Sequence, residues 1–348
     1  MDSNKVITFG EIMMRLSTPG FQRFAQARGF DAIYAGAEAN VAIALANLEI
    51  PANYITRLPA NDLGDACINF LRQFGVGTRN ILRGGDRLGT YFVEMGASQR
   101  GNKVIYDRAG SSFATIEPAM MDWNDVFKDA CWFHWTGISP SVSKDAADTC
   151  MAAVIAAKEN NIQVSCDLNY RGKLWKWGRP AGEVMAELMQ HVDVLVGNEE
   201  DAEKVFGVKA AGVDVEAGAV DSSAFEEVAK KIFEMFPNLK IVAFTLRGSI
   251  NATHNTWSAI LHDGEKSYIA PIYDITDIVD RIGAGDSFSA GLIYGMLKFD
   301  DEDKLQKTLD FATAISCIKH TIPGDSAIVK IEEIEDLMKG KTSGRISR

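Results

Sequence analysis

Residues 280–291 read DRIGAGDSFSAG, and within them Gly283, Gly285 and Asp286 stand at the predicted start of a helix. Phe288, Leu292 and Met296 recur at four-residue intervals, which predicts an amphipathic helix that begins at about Gly285. The first amides of a helix have no partner within it and attract anions, and small residues let an anion approach the backbone closely. The stretch therefore predicts a phosphate-binding turn that contains a carboxylate.

The carboxylate of Asp286 needs a separate explanation, because a phosphate-binding turn gains nothing in the ground state from another negative charge. In phosphoryl transfer an aspartate accepts the proton of the attacking alcohol while positive groups stabilise the transferred phosphoryl group. We expect the helix dipole to keep this carboxylate ionised. The alternative is a capping aspartate that follows a glycine-rich turn, and the spacing alone does not decide between them.

The rest of the chain alternates short apolar strands with helices, which favours an α/β fold with a mostly parallel sheet covered by helices on both faces. Strands are predicted at KVITF (5–9), near NYITRL (53–58), and at CWFHWTG (131–137), IQVSCDL (162–168), VDVLVG (192–197) and KIVAFTL (240–246). Helices are predicted at 37–48, 62–74, 144–159, 198–206 and 223–236.

Two segments depart from this alternation and predict a small β lid. Residues 89–96 and 102–108 form closely spaced strands without an intervening helix, and residues 11–34 are too aromatic and irregular for a crossover helix. A further hairpin is predicted in WSAILHDGEKSYI (257–269), with a two-residue turn at Asp263 and Gly264. The predicted division is an α/β core (1–10, 35–87 and 110–339), a lid (11–34 and 88–109) and a disordered tail (340–348).

Composition narrows the class of function. The 348 residues are 47% hydrophobic and 24% charged, with 36 Lys and Arg against 47 Asp and Glu, a net charge of −11. This balance argues against nucleic acid or an anionic membrane as a partner. Neither a basic leader nor an apolar run of about 18 residues is present, so we expect a cytoplasmic protein. The five cysteines lack metal-ligand spacing and are expected to be reduced thiols.

The sequence resembles a known family at both ends. DRIGAGDSFSAGLIYG (280–295) resembles the C-terminal signature of the ribokinase-like (PfkB) carbohydrate kinases, and YAGAEANVAIALANL (34–48) resembles their N-terminal glycine motif. The similarity extends from residue 5 to about 339. GEIMMRLSTPG (10–20), DLNYRGKLW (167–175), TLRGS (245–249) and KHTIPGD (319–325) together resemble the 2-keto-3-deoxygluconate kinases of that family.

The resemblance implies a ribokinase-like fold and a role for particular residues. Asp286 would be the catalytic base, and the backbone of Gly283, Ala284 and Gly285 would form the anion hole. The implied sugar contacts are Gly36, Tyr91, Tyr106, Arg108, Arg171 and Asp325, and the implied ATP contacts are Asn198, Arg247 and Gly248.

The chain departs from the family pattern at three places. Ala35 replaces the first glycine of the N-terminal pair, and Asp107 stands where related kinases often have an aromatic residue. Asp201 replaces the glutamate of the family's Asn-x-x-Glu motif. In the family this motif helps to place Mg²⁺ through water, so we expect no direct protein ligand to the ion.

The implied activity is ATP-dependent phosphorylation of the primary hydroxyl of 2-keto-3-deoxygluconate, with Mg²⁺ on the nucleotide and a lid that closes to exclude water. Arg108 and Arg171 suit the sugar-acid carboxylate, because the planar guanidinium pairs with both oxygens. Arg108 could instead form a surface ion pair with Asp107, and Arg171 could lie in a solvated basic loop. Tyr91 and Tyr106 could be packing residues.

Other functions remain open at this point. A fructokinase or another neutral-sugar kinase would need no pair of arginines, and a non-catalytic sugar or nucleotide sensor would need no base. ATP consumption with a panel of sugars would separate these alternatives. A dinucleotide-dependent enzyme is disfavoured, because the window at 283–288 lacks the third glycine of GxGxxG. A monovalent cation could be a further cofactor, and the exposed edge of the lid hairpin favours a homodimer or higher homo-oligomer.

Overall fold

The computed structural model describes residues 5–209 and 222–341. The tail predicted at 340–348 lies outside the described residues from 342 onward. No helix in the described ranges is long and apolar enough to cross a membrane.

The described strands and helices follow the predicted alternation. The strands are β1 (Lys5–Phe9), β2 (Met13–Ser17), β3 (Asp31–Ala35), β4 (Ala52–Ile55), β5 (Arg57–Leu58), β6 (Leu82–Arg83), β7 (Thr90–Glu94), β8 (Lys103–Asp107), β9 (Ala130–Thr136), β10 (Gln163–Asp167), β11 (Val194–Gly197), β12 (Ile241–Asn251), β13 (His254–His262), β14 (Ser267–Ile269) and β15 (Tyr273–Ile275). The α-helices are α1 (Ala37–Asn47), α2 (Asp62–Gln73), α3 (Trp123–Phe127), α4 (Ile138–Val142), α5 (Lys144–Glu159), α6 (Ala181–Met189), α7 (Glu199–Phe206), α8 (Ser222–Met235), α9 (Ala284–Lys298), α10 (Lys304–Lys319) and α11 (Ile331–Met338).

The main sheet has nine strands, in the order β14-β13-β12-β11-β10-β9-β1-β4, with β15 beside β13. Within this sheet the neighbouring strands β4, β1, β9, β10, β11 and β12 are parallel. At the other end β13 pairs antiparallel with β12, β14 and β15. Side chains alternate between the faces of a strand, so Val194 and Val196 of β11 belong to one buried core and Leu195 to the other. The predicted α/β fold, with a mostly parallel sheet covered on both faces, is confirmed.

A separate small sheet of four strands, in the order β3-β2-β7-β8, is formed by the segments predicted as a lid. β2 and β7 are parallel, and the other pairs are antiparallel. Met13, Ala35, Tyr91 and Val93 form its small buried core, whereas all five residues of the edge strand β8 are at least partly open to solvent. The lid sheet is therefore present as expected, and the exact domain boundaries stay a prediction.

Two details of the antiparallel end differ from the sequence prediction. His262 pairs with Ser267, so four residues connect β13 and β14 and the predicted two-residue turn is wrong. Asp263 accounts for the longer loop, because its Oδ1 accepts the N–H groups of Glu265 (2.9 Å) and Lys266 (2.7 Å). In addition, β12 continues beyond the predicted apolar run and forms a hairpin with β13.

Candidate active site

The turn at 280–286 leads directly into α9, as the sequence predicts. Gly283 is the N-terminal capping residue, with φ +84°, and its carbonyl accepts the backbone N–H of Ser287 at 3.0 Å. A Cβ at this position would collide with the carbonyl oxygen of Asp325. Both the left-handed backbone and the close approach therefore require glycine here.

The backbone of Gly283, Ala284 and Gly285 borders a cavity. The capping position has no side chain, and no side-chain cap bonds to the start of α9 in the described residues. A Cβ built on Gly285 would have Asp167 Oδ2, at 4.0 Å, as its nearest neighbour. An anion can therefore approach this backbone at Ala284 and Gly285, where the helix dipole is favourable.

Asp286, the third residue of α9, is buried, with 9% of its surface exposed. Asn40 of α1 donates an amide hydrogen from Nδ2 to Asp286 Oδ2 at 2.7 Å. Burial raises the pKa of Asp286 to about 7, against the opposing effect of the Asn40 hydrogen bond, and the charges of Asp325 and Glu38 raise it further. Burial therefore opposes the ionisation that the helix dipole is expected to favour.

One cleft of about 410 Å³ brings the predicted residues together between the lid sheet and the carboxyl ends of the core strands. This is the edge at which open α/β sheets bind ligands. Gly248 is not among its lining residues, and lies buried in β12 opposite Thr256. The predicted residues that do line it are Gly36, Tyr91, Tyr106, Arg108, Arg171, Asn198, Asp201, Arg247, Gly283, Ala284, Gly285, Asp286 and Asp325.

Arg108 is buried in the cleft wall and forms an ion pair with Glu11. Its Nε donates to Glu11 Oε2 at 2.8 Å, and its Nη2 donates to the same oxygen. The alternative of a surface pair with Asp107 is wrong, because Asp107 pairs with Arg87 at 2.8 Å. Much of the charge of Arg108 is thus balanced within the protein.

Arg171, in contrast, is exposed in the loop after β10. Its Nη1 donates to the carbonyl oxygen of Tyr170 at 2.9 Å, and no carboxylate in the described ranges forms an ion pair with it. Its charge acts to lower the pKa values of Asp167, Asp201 and Asp286. Arg171 is therefore a cation in the cleft that an acidic ligand could reach.

Tyr91 and Tyr106 are cross-strand partners in the lid, with stacked rings whose centroids are 5.8 Å apart. Tyr91 is buried and donates its hydroxyl hydrogen to Asp325 Oδ2 at 2.6 Å. The other oxygen of Asp325 pairs with Arg15. The two tyrosines thus pack together and also line the cleft, while the carboxylate of Asp325 is already engaged by lid residues.

A pair of buried carboxylates lies across from Asp286. Asp167 ends β10, and Asp201 in α7 accepts the N–H of Tyr170 at 3.0 Å. Asn198 caps α7 by accepting the N–H of Asp201 at 2.9 Å. Burial and the neighbouring charges of Asp201 and Asp286 raise the pKa of Asp167 well above its usual value, and burial raises that of Asp201 to about 6. This excess of negative charge suits a cation that brings additional ligands of its own.

No group of three or more His, Cys, Asp or Glu side chains in the described part of the chain is arranged to hold a metal ion alone. A divalent cation beside Asp167 and Asp201 would take its remaining oxygens from water and a bound ligand.

The opposite end of the cleft is lined by Arg247 and by three residues that the sequence analysis did not assign: Trp257, Arg281 and His320. Arg281 donates from Nη2 to the carbonyl oxygens of Asn251 (3.0 Å) and of the next residue (2.9 Å), at the turn of the β12–β13 hairpin. The ring of His320 lies against Trp257, with centroids 4.9 Å apart. His134, which the sequence analysis did not favour as a base, is fully buried in β9 outside the cleft.

Sequence reasoning also missed the acidic and amide groups of α1 and of the segment before β2. Asn40 and Glu38 were both inside the quoted glycine motif, and Glu11 was inside the quoted segment 10–20. Glu38 is fully enclosed and accepts hydrogen bonds from the hydroxyl groups of Thr136 and Ser139, each at 2.8 Å. Burial raises its pKa to about 7.

Comparisons with known proteins agree with this geometry. The model of the "pfkB family carbohydrate kinase" matches residues 3–331. The chain is 30% identical to the 2-dehydro-3-deoxygalactonokinase of Haloferax volcanii over 98% of both chains. It is 46% identical to the 2-dehydro-3-deoxygluconokinase of Thermotoga maritima, whose crystal structure superposes with a TM-score of 0.90 over 97% of this chain and 99% of that one.

A more distant likeness concerns the fold alone. The fructokinase of Xylella fastidiosa, whose crystal structure contains bound ATP, is 20% identical and has a TM-score of 0.77, covering 98% of this chain and all of that one. The family match spans nearly the whole chain and includes every element that forms the cleft. The chain therefore belongs to the PfkB family of carbohydrate kinases.

Proposed function

We propose that this carbohydrate kinase transfers the γ-phosphoryl group of ATP to the primary hydroxyl of 2-keto-3-deoxygluconate. The observation that carries the proposal is the position of Asp286: a buried carboxylate beside the open amides of Ala284 and Gly285, in the cleft that Arg171 also lines. The names of the relatives from Haloferax volcanii and Thermotoga maritima, both kinases of 2-keto-3-deoxy sugar acids, support the substrate class.

In the proposed reaction Asp286 takes the proton of the sugar hydroxyl. Asn40 donates to Oδ2, which leaves Oδ1 as the oxygen for that proton. The hydroxyl oxygen forms a bond to the γ-phosphorus, and the bond between this phosphorus and the oxygen that bridges it to the β-phosphate breaks. A pKa near 7 suits a general base at neutral pH, since the carboxylate is substantially ionised and still accepts a proton readily.

The charge that develops on the phosphoryl oxygens would be stabilised by the amides of Gly283, Ala284 and Gly285. Arg247, exposed at the other end of the cleft, would contact the nucleotide phosphates, and Asn198 would shape the same wall. Mg²⁺ bound to ATP would neutralise the phosphates. Asp167 and Asp201 fit that ion because they form a buried acidic pair that can bind its water ligands. Gly248, outside the cleft, would act through the backbone of β12 alone.

The preference for a sugar acid would come from Arg171. Arg108 is balanced by Glu11, so the carboxylate of the substrate would meet its positive partner chiefly at Arg171. Tyr106, 46% exposed on the lid, would cover the sugar, and Gly36 would border it. The galacto epimer is a second candidate, because the relative from Haloferax volcanii is named for it.

The lid edge would also join two copies of this chain. β8 ends the small sheet and exposes Val104 (38%) and Ile105 (54%), an apolar edge that a second copy could cover. Light scattering after gel filtration would show a dimer or a larger assembly, and a monomer at all concentrations would contradict it.

The monovalent-cation requirement stays a prediction, which activity in sodium, potassium and cation-free buffers would test.

A coupled ADP-release assay tests the proposed activity, with 2-keto-3-deoxygluconate, its galacto epimer, fructose and ribose as acceptors. We expect one or both sugar acids to give the highest kcat/KM and water to give almost no ADP release. A higher kcat/KM with fructose or ribose would support the neutral-sugar alternative. ATP and sugar binding without turnover would support a sensor and contradict the proposal.

A further inference from the structure

Arg15 lies on the lid strand β2 but points its guanidinium into the core, where only 2% of the residue is exposed. Its Nη2 pairs with Asp280 Oδ2 at 2.7 Å, and its Nη1 pairs with Asp325 Oδ1. Its Nε donates to Ser17 Oγ at 2.8 Å. All three nitrogens of the fork are therefore engaged, and two of them bind carboxylates from different segments of the core.

Those two carboxylates shape the turn that precedes α9. Asp280 accepts the N–H of Ile282 on Oδ1 and the N–H of Gly324 on Oδ2, each at 3.1 Å. The carbonyl oxygen of Asp325 lies directly against Gly283, at the point where a Cβ would collide. Asp280 and Asp325 thus fix both sides of the turn whose amides face the cleft.

A second lid residue, Tyr91 of β7, also bonds to Asp325 and donates to its remaining oxygen at 2.6 Å. On the core side, Lys319 of α10 donates to the carbonyl oxygen of Asp280 at 2.9 Å. The lid strands and the amide turn are consequently joined by buried ion pairs and hydrogen bonds. Among the described residues, Arg15 is the only side chain that bonds to the carboxylates of both Asp280 and Asp325.

We infer that Arg15 is a positioning residue: it joins the lid sheet to the amide turn at 283–285 and holds those amides where they can receive the transferred phosphoryl group. The inference rests on the proposed function and adds to it a residue that touches neither substrate. Removing the fork should leave ATP binding intact but impair the stabilisation of the transition state, because amide donors contribute only when they are correctly placed.

Hydrogen exchange on the full chain tests the structural half of the inference without any substrate. In Arg15→Lys a single ammonium cannot reproduce the three bonds of the fork. We expect the peptide that contains residues 280–287 to exchange about tenfold faster, while peptides from β10 and β11 keep the rate of the unaltered protein. Arg87→Met is the matched control, because it removes a half-exposed arginine that precedes β7 and pairs with Asp107 of the lid. Unchanged exchange at 280–287, or a uniform increase throughout the chain, would overturn the inference.

Binding of a transition-state mimic tests the functional half. With 2-keto-3-deoxygluconate present, the affinity for ADP plus aluminium fluoride should fall about 10- to 100-fold in Arg15→Lys and in Arg15→Gln, and the affinity for ADP alone should stay the same. Equal loss for both ligands, or for neither, would overturn it. If the unaltered protein phosphorylates no sugar of the panel, the proposed function fails, whereas the exchange experiment still decides the role of Arg15.

Discussion

Under the proposed function, replacement of Arg171 by alanine should reduce the preference for acidic over neutral sugars. Arg171 is an exposed cation of the cleft, and so is Arg247, which is assigned to the nucleotide phosphates. Arg108 is balanced by Glu11. A carboxylate about 4 Å from a guanidinium gains about 4 kcal/mol at an effective dielectric constant near 20. Since Arg171 is exposed, screening should reduce this to about 2 kcal/mol, or roughly a 30-fold loss of kcat/KM on the acid.

The assay compares kcat/KM for 2-keto-3-deoxygluconate and fructose in the unaltered protein and in Arg171→Ala. Arg171 also lowers the pKa of Asp286, so the comparison is made near pH 8.5, where the base is ionised with or without the arginine. Arg179→Ala is the control, because this half-exposed arginine pairs with Glu187 and does not line the cleft. Arg171→Lys should give an intermediate loss, since the charge remains and the fork is lost. An equal loss on both sugars would refute the reasoning.

Two further predictions concern the turn and its base. Because burial raises the pKa of Asp286 to about 7, and the ionised form is the base, kcat/KM should fall tenfold per pH unit below about pH 7; a profile that stays flat down to about pH 5 would contradict this. Gly283→Ala should lower the free energy of unfolding by at least about 2 kcal/mol, measured by urea denaturation, because of the left-handed φ and the collision with Asp325. In Gly285→Ala the new Cβ would lie 4.0 Å from its nearest neighbour, so the free energy of unfolding should stay within about 1 kcal/mol of that of the unaltered protein, and turnover should be lost instead. Equal losses of stability in the two variants would be evidence against this assignment.

The fold was predictable because it depends on patterns within short segments. Nearly continuous apolar runs such as VDVLVG gave buried parallel strands, and the helix predicted at 144–159 has the observed bounds of α5. The loop between β13 and β14 was mispredicted, since a side-chain acceptor at Asp263 outweighed the preference of an Asp-Gly pair for a two-residue turn.

The site was predictable only where a motif concentrates its chemistry in one segment. Residues 283–286 are such a motif, and the turn forms at the expected place. The partners of those residues were not predictable, because Asn40 and Asp286 are 246 residues apart and meet only after α1 packs against α9. Arg108 illustrates the same limit: its neighbour in sequence, Asp107, pairs elsewhere, and its observed partner Glu11 comes from a distant segment.

The proposed reaction requires Asp286 to remove the proton of the sugar hydroxyl while the adjacent amides hold the phosphoryl group. The most direct measurement is single-turnover phosphoryl transfer in Asp286→Asn, with ATP affinity measured on the same sample. The substitution keeps the size of the side chain and removes the basic oxygen. We expect the rate to fall by roughly 10² to 10⁴-fold with ATP affinity nearly unchanged. Loss of a general base should slow the transfer at least about a hundredfold. A rate within about threefold of the unaltered protein would therefore contradict the role of Asp286 as the base.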